Sequence, residues 1–394
     1  MGDIIYLDHA ATTPVDEEVL AAMLPYLKGK FGSASTLYSI GREAREAVEE
    51  AREKVADLIG ASPEEIYFTS GGTESDNWAV FGVTAAKASK GKHIITSKIE
   101  HHAILEPCHW LEKQGYKVTY LGVDENGFVN VDELKAAITD ETVLITIMHA
   151  NNEIGTIEPV EEIGKIARER KIHFHCDTVQ SVGHIPVDVE SMGVDSLAIS
   201  AHKIYGPKGI GAMYIRKGSR VEKFMRGGGQ ENNRRAGTHA VQAIVGLGKA
   251  AELAKKRMPE ETEKTLKLRD ALISGIEARI QDVKLNGDRV KRLPNNVNFS
   301  FTGIEGESMI LLLDMNGICV SSGSACTSGS LDPSHVLMAL GMKHEQAHGS
   351  LRLTLGKDNT MEQIEKVLDT LPGIVQRLRE MSPIYAVGAK CDRE

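Results

Sequence analysis

Long apolar runs are missing from this chain: no window approaches the ~18 consecutive apolar residues of a membrane-spanning helix. Its start, MGDIIYLDHAATTPVDEE, places Asp3 where a secretory leader would carry basic residues ahead of an apolar stretch. The expectation is a soluble, cytoplasmic protein with no membrane partner. Positive charge is in deficit as well, with 46 Lys and Arg against 55 Asp and Glu, a net of −9. A nucleic-acid binder draws much of its affinity from neutralising phosphates, so no nucleic-acid partner is expected. Cysteine is scarce: Cys108, Cys176, Cys319, Cys326 and Cys391 are odd in number and form no CxxC pair. That pattern argues against a disulfide framework and against a tetrahedral zinc site. The 14 histidines include no HExxH, so no metal is expected. Any special cysteine must act as a free thiol. Internal repeats and low-complexity tracts are missing too.

What the chain has is length and glycine. At 394 residues it exceeds the ~100–200 residues of one ordinary core. Glycine stands at 38, above its usual share of about 7 %, which in an α/β chain points to ligand loops. Seven short apolar segments read as strands: EIYFT at Glu65, HIITS at His93, YKVTYL at Tyr116, VLITIM at Val143, IHFHCD at Ile172, SLAIS at Ser196 and GAMYIR at Gly211. Helix-length stretches separate most of them, the βαβ signature of a mainly parallel sheet covered on both faces. Two helical patterns follow, His239 to Arg257 and Glu260 to Ile280, with Pro259 expected to break them. NVNFSF, a helix near Ser308, ICVSS, a helix from Ser334, LRLTL and a last helix from Met361 then read as a compact α+β unit. The expected organisation is a large α/β domain over 15–258 and a small domain built from 1–14 and 259–394.

Three features carry chemistry. Ser70-Gly71-Gly72-Thr73-Glu74-Ser75 is a glycine turn between strand and helix, whose backbone amides and dipole suit a phosphate, although a plain capped turn has the same look. Asp177 directly follows an apolar strand, at the carboxyl end where open α/β sheets bind ligands; a carboxylate there can keep a heterocyclic nitrogen protonated, or merely cap a helix. Lys203, 26 residues later, also ends a strand, where partial desolvation lowers an amine's pKa and makes it a nucleophile, although a single lysine there is more often a solvated loop residue. Together they describe a pyridoxal 5'-phosphate site.

With these residues in place, the chain resembles the class V, fold-type I pyridoxal-phosphate enzymes and, within them, the cysteine desulfurases of the NifS/IscS group. The motifs are YLDHAATTPV at Tyr6, FTSGGTESDN at Phe68, EHHA at Glu100, HANNEIGT at His149, HCDTVQSVGHIPVD at His175, ISAHKIYGPKGIGA at Ile199, RGGGQENNRRAGT at Arg226, SSGSACTSG at Ser321 and SLRLTLG at Ser350. The resemblance implies Lys203 as the residue linked covalently to the cofactor, Asp177 as partner of its ring nitrogen and Gln180 as donor to its ring oxygen. It implies that His101 stacks on the ring and moves protons, and that Gly72, Thr73, Ser200 and His202 hold the phosphate, with Thr238 supplied by the second subunit of a homodimer. Asn152 and Arg352 would take the substrate carboxylate, and Cys326 would accept sulfur. The implied reaction turns L-cysteine into L-alanine, with the sulfur passing as a persulfide to an iron–sulfur scaffold protein. A selenocysteine lyase or an aminotransferase on the same fold is the alternative. Read by itself, Cys326 sits among small flexible residues suited to an exposed nucleophile, yet a buried structural thiol is the commoner state of cysteine, and it is the match to the desulfurase loop that favours the nucleophile; Cys319, in an apolar strand, reads as structural. Ser33 and Tyr38 depart from the Asn and His common in the group.

Overall fold

The computed structural model describes residues 4–322, 333–383 and 385. Cys326 and Cys391, and most of the tail after Ser382, lie outside them. The strands run β1 (Ile5–Tyr6), β2 (Ile66–Thr69), β3 (His93–Ser97), β4 (Lys117–Leu121), β5 (Thr142–Thr146), β6 (His173–Asp177), β7 (Ser196–Ser200), β8 (Gly211–Ile215), β9 (Val283–Leu285), β10 (Asn296–Phe301), β11 (Ile318–Cys319) and β12 (Ser350–Thr354). The helices are α1 (Glu17–Lys28), α2 (Ser39–Leu58), α3 (Gly72–Ala86), α4 (His102–Lys113), α5 (Val131–Ala137), α6 (Val160–Arg170), α7 (Val189–Met192), α8 (Val241–Arg279), α9 (Gly306–Asp314), α10 (His335–Ala339), α11 (His344–His348) and α12 (Met361–Met381).

The seven strands expected from the sequence form one sheet in the order β2-β8-β7-β6-β5-β3-β4. Only β8 runs against its neighbours, pairing antiparallel with β2 and β7. Strands β2, β3 and β5 to β8 are buried along their whole length, because helices cover both faces, and such strands read as continuous apolar runs. A second sheet, β12-β10-β9, and the two-residue pair β1-β11 build the C-terminal unit. Each sheet has its own core. Helix α8 serves both, with Ile244, Leu247 and Ala251 in the first and Leu268, Leu272 and Ile276 in the second. The N-terminal Ile5 and Leu7 also pack into the second core.

The expected break at Pro259 does not occur: α8 is one helix of 39 residues that runs through it. Proline removes one amide and crowds the carbonyl four residues back. Pro259 and Lys255 are both exposed, so water can satisfy the carbonyl released there. A division at 258 or 259 therefore falls inside a continuous helix.

One loop holds an unusual backbone. Glu231, Asn232 and Asn233 all have positive φ, at 48°, 52° and 63°, a conformation that costs non-glycine residues energy. What holds it is the buried Glu231 carboxylate, which accepts from Arg52 Nη1 at 2.7 Å and Nη2 at 2.9 Å, from the Phe68 amide at 2.8 Å and from His239 Nε2 at 2.5 Å. Burial opposes its ionisation, but the hydrogen bonds from His239 and Arg52 and the charge of Arg52 win and hold Glu231 down at about 2. Its contribution to stability is present above the ordinary carboxylate range and fades as pH falls towards that value. Glu231→Ala removes Arg52's buried partner and leaves it only the exposed Glu49 and the Ile66 carbonyl, and urea unfolding at neutral pH is expected to show a loss of about 3–5 kcal/mol. A loss below about 1 kcal/mol, the worth of an exposed pair, would contradict this role.

Candidate active site

Strands β2, β3, β5, β6 and β7 all point one way, so their carboxyl ends share one edge of the sheet. At that edge β2 runs through Thr69 into the glycine turn, and α3 begins at Gly72 with no side chain capping its first amides. These amides have no partners inside the helix and face the place where an anion would sit. Three glycines make the turn possible. Gly71 has φ 154°, a Cβ on Gly72 would lie 2.7 Å from Val179 Cγ2, and a Cβ on Gly211 would lie 2.7 Å from Gly71 Cα. Gly211 pairs with both Thr69 and Ser200, so its missing side chain lets the turn close onto the end of β7. Ser200 borders the turn, its Oγ 4.0 Å from where a Gly71 Cβ would be. Thr73 is exposed at the start of α3.

Asp177 ends β6 and is buried, 7 % exposed, with Oδ1 accepting from the Val179 amide at 2.9 Å. It shapes a turn and caps no helix. Burial pushes it up to about 6 against the pull of the Val179 amide and of the Lys203 charge, so a cation brought to it would be bound strongly. Lys203 follows β7 in a short 3₁₀ turn and donates to the carbonyl oxygens of Ala10 at 2.5 Å and Ala11 at 2.7 Å. Gln180 Nε2 donates to the same Ala10 oxygen at 3.0 Å, which brings Gln180 and Lys203 together. His101 caps α4: its Nδ1 accepts from the Ala103 amide at 3.1 Å. Burial, then the charges of Lys203 and His102, lower His101 to about 4. At neutral pH it is therefore uncharged, with its proton on Nε2. His202 is lowered to about 4 by burial and by Lys203 and Lys208, and its Nδ1 lies 3.1 Å from Thr12 Oγ1.

Arg352, on β12, comes to the same edge from the other sheet. It is 3 % exposed and donates from Nη1 to the Asn152 carbonyl at 3.1 Å and from Nη2 to Asp8 Oδ1 at 3.0 Å. Its Nε is buried and has no hydrogen-bond partner among the described residues. Asn152 meets Arg352 through its backbone, and its side chain is half-buried. Thr238 is exposed, seven residues beyond Glu231. The Asp8–Thr12 segment has no role legible in residue type or spacing, yet its Asp8 carboxylate, Ala10 and Ala11 carbonyls and Thr12 hydroxyl contact Arg352, Lys203, Gln180 and His202. The one available signal was the motif YLDHAATTPV itself, since no spacing rule links residue 10 to residue 203.

Among the described residues no group of three or more His, Cys, Asp and Glu could hold a metal ion, and no helix is long and apolar enough to cross a membrane. Cys108 and Cys176 are buried, and burial pushes Cys108 up to about 12. Cys319 is partly buried on β11, as a strand residue should be, and burial followed by the charges of Asp314 and Asp8 raises it. None of the three is an activated thiol.

The cradle at Gly71 and Gly72, the buried carboxylate, the strand-end lysine and a buried arginine with an unused donor fit a phosphorylated cofactor carrying an aldehyde and a basic ring nitrogen. This is the equipment of the class V aminotransferases, and the chain belongs to that family, matching it over residues 5–367. Within it the chain belongs with the cysteine desulfurases, which are pyridoxal-phosphate-dependent enzymes. It is 59 % identical over 379 residues to cysteine desulfurase IscS of Dictyoglomus turgidum, covering 96 % of both chains. It is 56 % identical over 380 residues to the IscS of Methanosarcina thermophila, covering 96 % of this chain and 94 % of that one. A solved NifS-like protein superposes with a TM-score of 0.90 at 39 % identity, covering 95 % of this chain and all of that one. An apo cysteine desulfurase from Thermococcus onnurineus gives 0.85 at 28 % identity over 95 % of each.

Gly72→Ala tests the cradle. Its Cβ would push on Val179 Cγ2, two residues beyond Asp177, so pyridoxal phosphate should bind at least about tenfold more weakly by absorbance titration of the apoprotein. Unchanged affinity would remove the turn from the site.

Proposed function

We propose that this protein converts L-cysteine to L-alanine and carries the released sulfur as a persulfide on Cys326. The observation that carries the reading is the position of Arg352. Its guanidinium lies beside Asn152, and its backbone exchanges both hydrogen bonds with Ser321, at 3.1 and 2.7 Å. Cys326 follows Ser321 by five residues, so at ~3.3–3.6 Å per residue the chain can place it no more than about 18 Å away. Beyond that segment Ser334 donates its hydroxyl to the buried Glu153, next to Asn152, at 2.5 Å. The described residues on either side of the segment that contains the thiol, Ser321 and Ser334, are thus bonded to Arg352 and to Glu153, the neighbour of Asn152.

In this reading Gly72, Thr73, Ser200 and His202 hold the cofactor phosphate, Asp177 pairs with the ring nitrogen, Gln180 donates to the ring oxygen and His101 packs on the ring. Bound pyridoxal phosphate supplies an electron sink for the pair left when the substrate loses its α-proton. Lys203 would hold the cofactor by its aldehyde carbon and, as an amine, would move protons at the substrate carbon. His101, uncharged with its proton on Nε2, is a donor at neutral pH. Arg352 offers a guanidinium fork shaped for the substrate carboxylate, and Asn152 steadies it. The Cys326 thiolate attacks the substrate sulfur: a sulfur–sulfur bond forms, the carbon–sulfur bond breaks with its electrons going to carbon, and protonation there gives alanine. The persulfide then passes to an acceptor, for which an iron–sulfur scaffold protein is the proposed partner. We further place the enzyme in the cytoplasm as a homodimer in which the exposed Thr238 of each subunit completes the phosphate site of the other.

Cys326→Ala should keep the cofactor's visible absorption and its spectral response to L-cysteine, because the groups that bind cofactor and substrate are untouched. It should release no alanine, and intact-mass measurement should find none of the one-sulfur addition expected in the parent. Added sulfur mapped to Cys319 or Cys108, or alanine formed at the parent rate, would show that the nucleophile is elsewhere.

A further inference from the structure

Behind Asp177 lies a buried chain of polar groups that the reaction as described does not use. Helix α3 turns Asp76 inward, where it is 1 % exposed. Asp76 Oδ1 sits 3.1 Å from Nε2 of His175, which is fully buried on β6. His175 precedes Asp177 by two residues, so both side chains leave the same face of the strand. His175 Nδ1 is 2.9 Å from Ser196 Oγ on the neighbouring β7, and Ser196 Oγ is 2.9 Å from His173 Nε2. Among the described residues no lysine or arginine hydrogen-bonds to this chain.

The question is where the protons are. Asp76 faces two other buried acids, Asp177 and Glu100, and like charges so enclosed cannot all be ionised. Asp177 has compensation, from the Val179 amide and the nearby charge of Lys203. Asp76 has only an imidazole. That imidazole can accept at Nε2 while donating from Nδ1 to Ser196, whose hydroxyl can donate to His173 in turn, so these three hydrogen bonds can all form without a net charge. Burial, then Asp177 and Glu100, push Asp76 well above the carboxylate range, and burial holds His175 down at about 3. Both directions agree with the geometry.

We propose that Asp76 is a positioning residue that stays protonated and donates to His175 Nε2, leaving Asp177 as the ionised carboxylate that meets the cofactor's ring nitrogen. The inference rests on the reading of Asp177 given above. Asp76→Asn keeps a neutral donor of the same shape, whereas Asp76→Leu removes the donor and strands His175 Nε2 in the interior.

The test uses the holoenzyme and its apoprotein. Asp76→Asn should bind pyridoxal phosphate with the parent affinity, within about twofold, and keep the pH midpoint of the bound cofactor's visible absorption. Asp76→Leu should weaken binding at least about tenfold and displace that midpoint. An infrared difference spectrum between the parent and Asp76→Asn, with aspartate labelled by ¹³C, should show a protonated carboxyl in the parent that the variant lacks. That measurement stands even if Asp76→Leu does not fold. A carboxylate signal in place of the protonated one, or an Asp76→Asn that loses affinity as Asp76→Leu does, overturns the proposal. Asp177→Ala, measured in parallel, separates the two readings: unchanged cofactor affinity there refutes the assignment of Asp177, whatever Asp76 does.

Discussion

Lys203 and Gln180 donate to one acceptor, the carbonyl oxygen of Ala10, and the strap that carries this carbonyl is the constraint on which the site depends. An ammonium at the end of a buried strand has left much of its water behind, and main-chain carbonyls are what replace it. The strap is held in turn from the other sheet. The amide of Ala10 donates to Thr354 Oγ1 at 2.8 Å, His9 Nδ1 lies 3.0 Å from the Thr354 carbonyl, and Asp8 pairs with Arg352. Gly356 is glycine because a Cβ there would lie 2.1 Å from His9 Nε2. Six residues from Asp8 to Thr13 thus join the lysine, on the large sheet, to the arginine, on the small one. A shift of either sheet would be felt at both.

The same logic governs charge. Asp177, Asp76, Glu100 and Glu153 are all enclosed, and burial raises each of them; Glu153 reaches about 7 and Glu100 about 8. The histidines around them, His101, His175 and His202, move the other way and stay neutral. The site therefore sets the charges of its lysine and arginine against few carboxylates, Asp177 near Lys203 and Asp8 on Arg352, and adds no histidine charge. Glu231 is the contrast: buried as deeply, it is kept ionised because Arg52 and His239 reach it.

Much of this was legible in the sequence. Six of the seven strands of the large sheet could be found because strands buried on both faces are mainly apolar, and Asp177 and Lys203 could be found because such strands end abruptly in polar residues. Strands β1 and β9, of two and three residues, carry no periodic signal and exist only through their partners. Pro259 misled because the rule against helical proline assumes an amide the fold needs, and at an exposed position water can stand in for the lost bond. Asp8 and Arg352 are 344 residues apart, and Asp76 and His175 are 99 apart, so neither pair leaves a local pattern to read. Residue types at strand ends can be read along the chain, whereas the groups that neutralise them arrive from elsewhere in the fold.

The central claim is that the groups gathered at this edge form a pyridoxal-phosphate site that takes sulfur from L-cysteine. It is tested most directly by the absorption spectrum of the purified protein before and after L-cysteine, with alanine and protein-bound sulfur measured on the same sample. The account predicts a visible cofactor band that changes on mixing, alanine appearing in step with sulfur on the protein, and no response to L-alanine of comparable yield. A protein that binds pyridoxal phosphate yet leaves L-cysteine intact, or that forms alanine without ever holding sulfur, would contradict it.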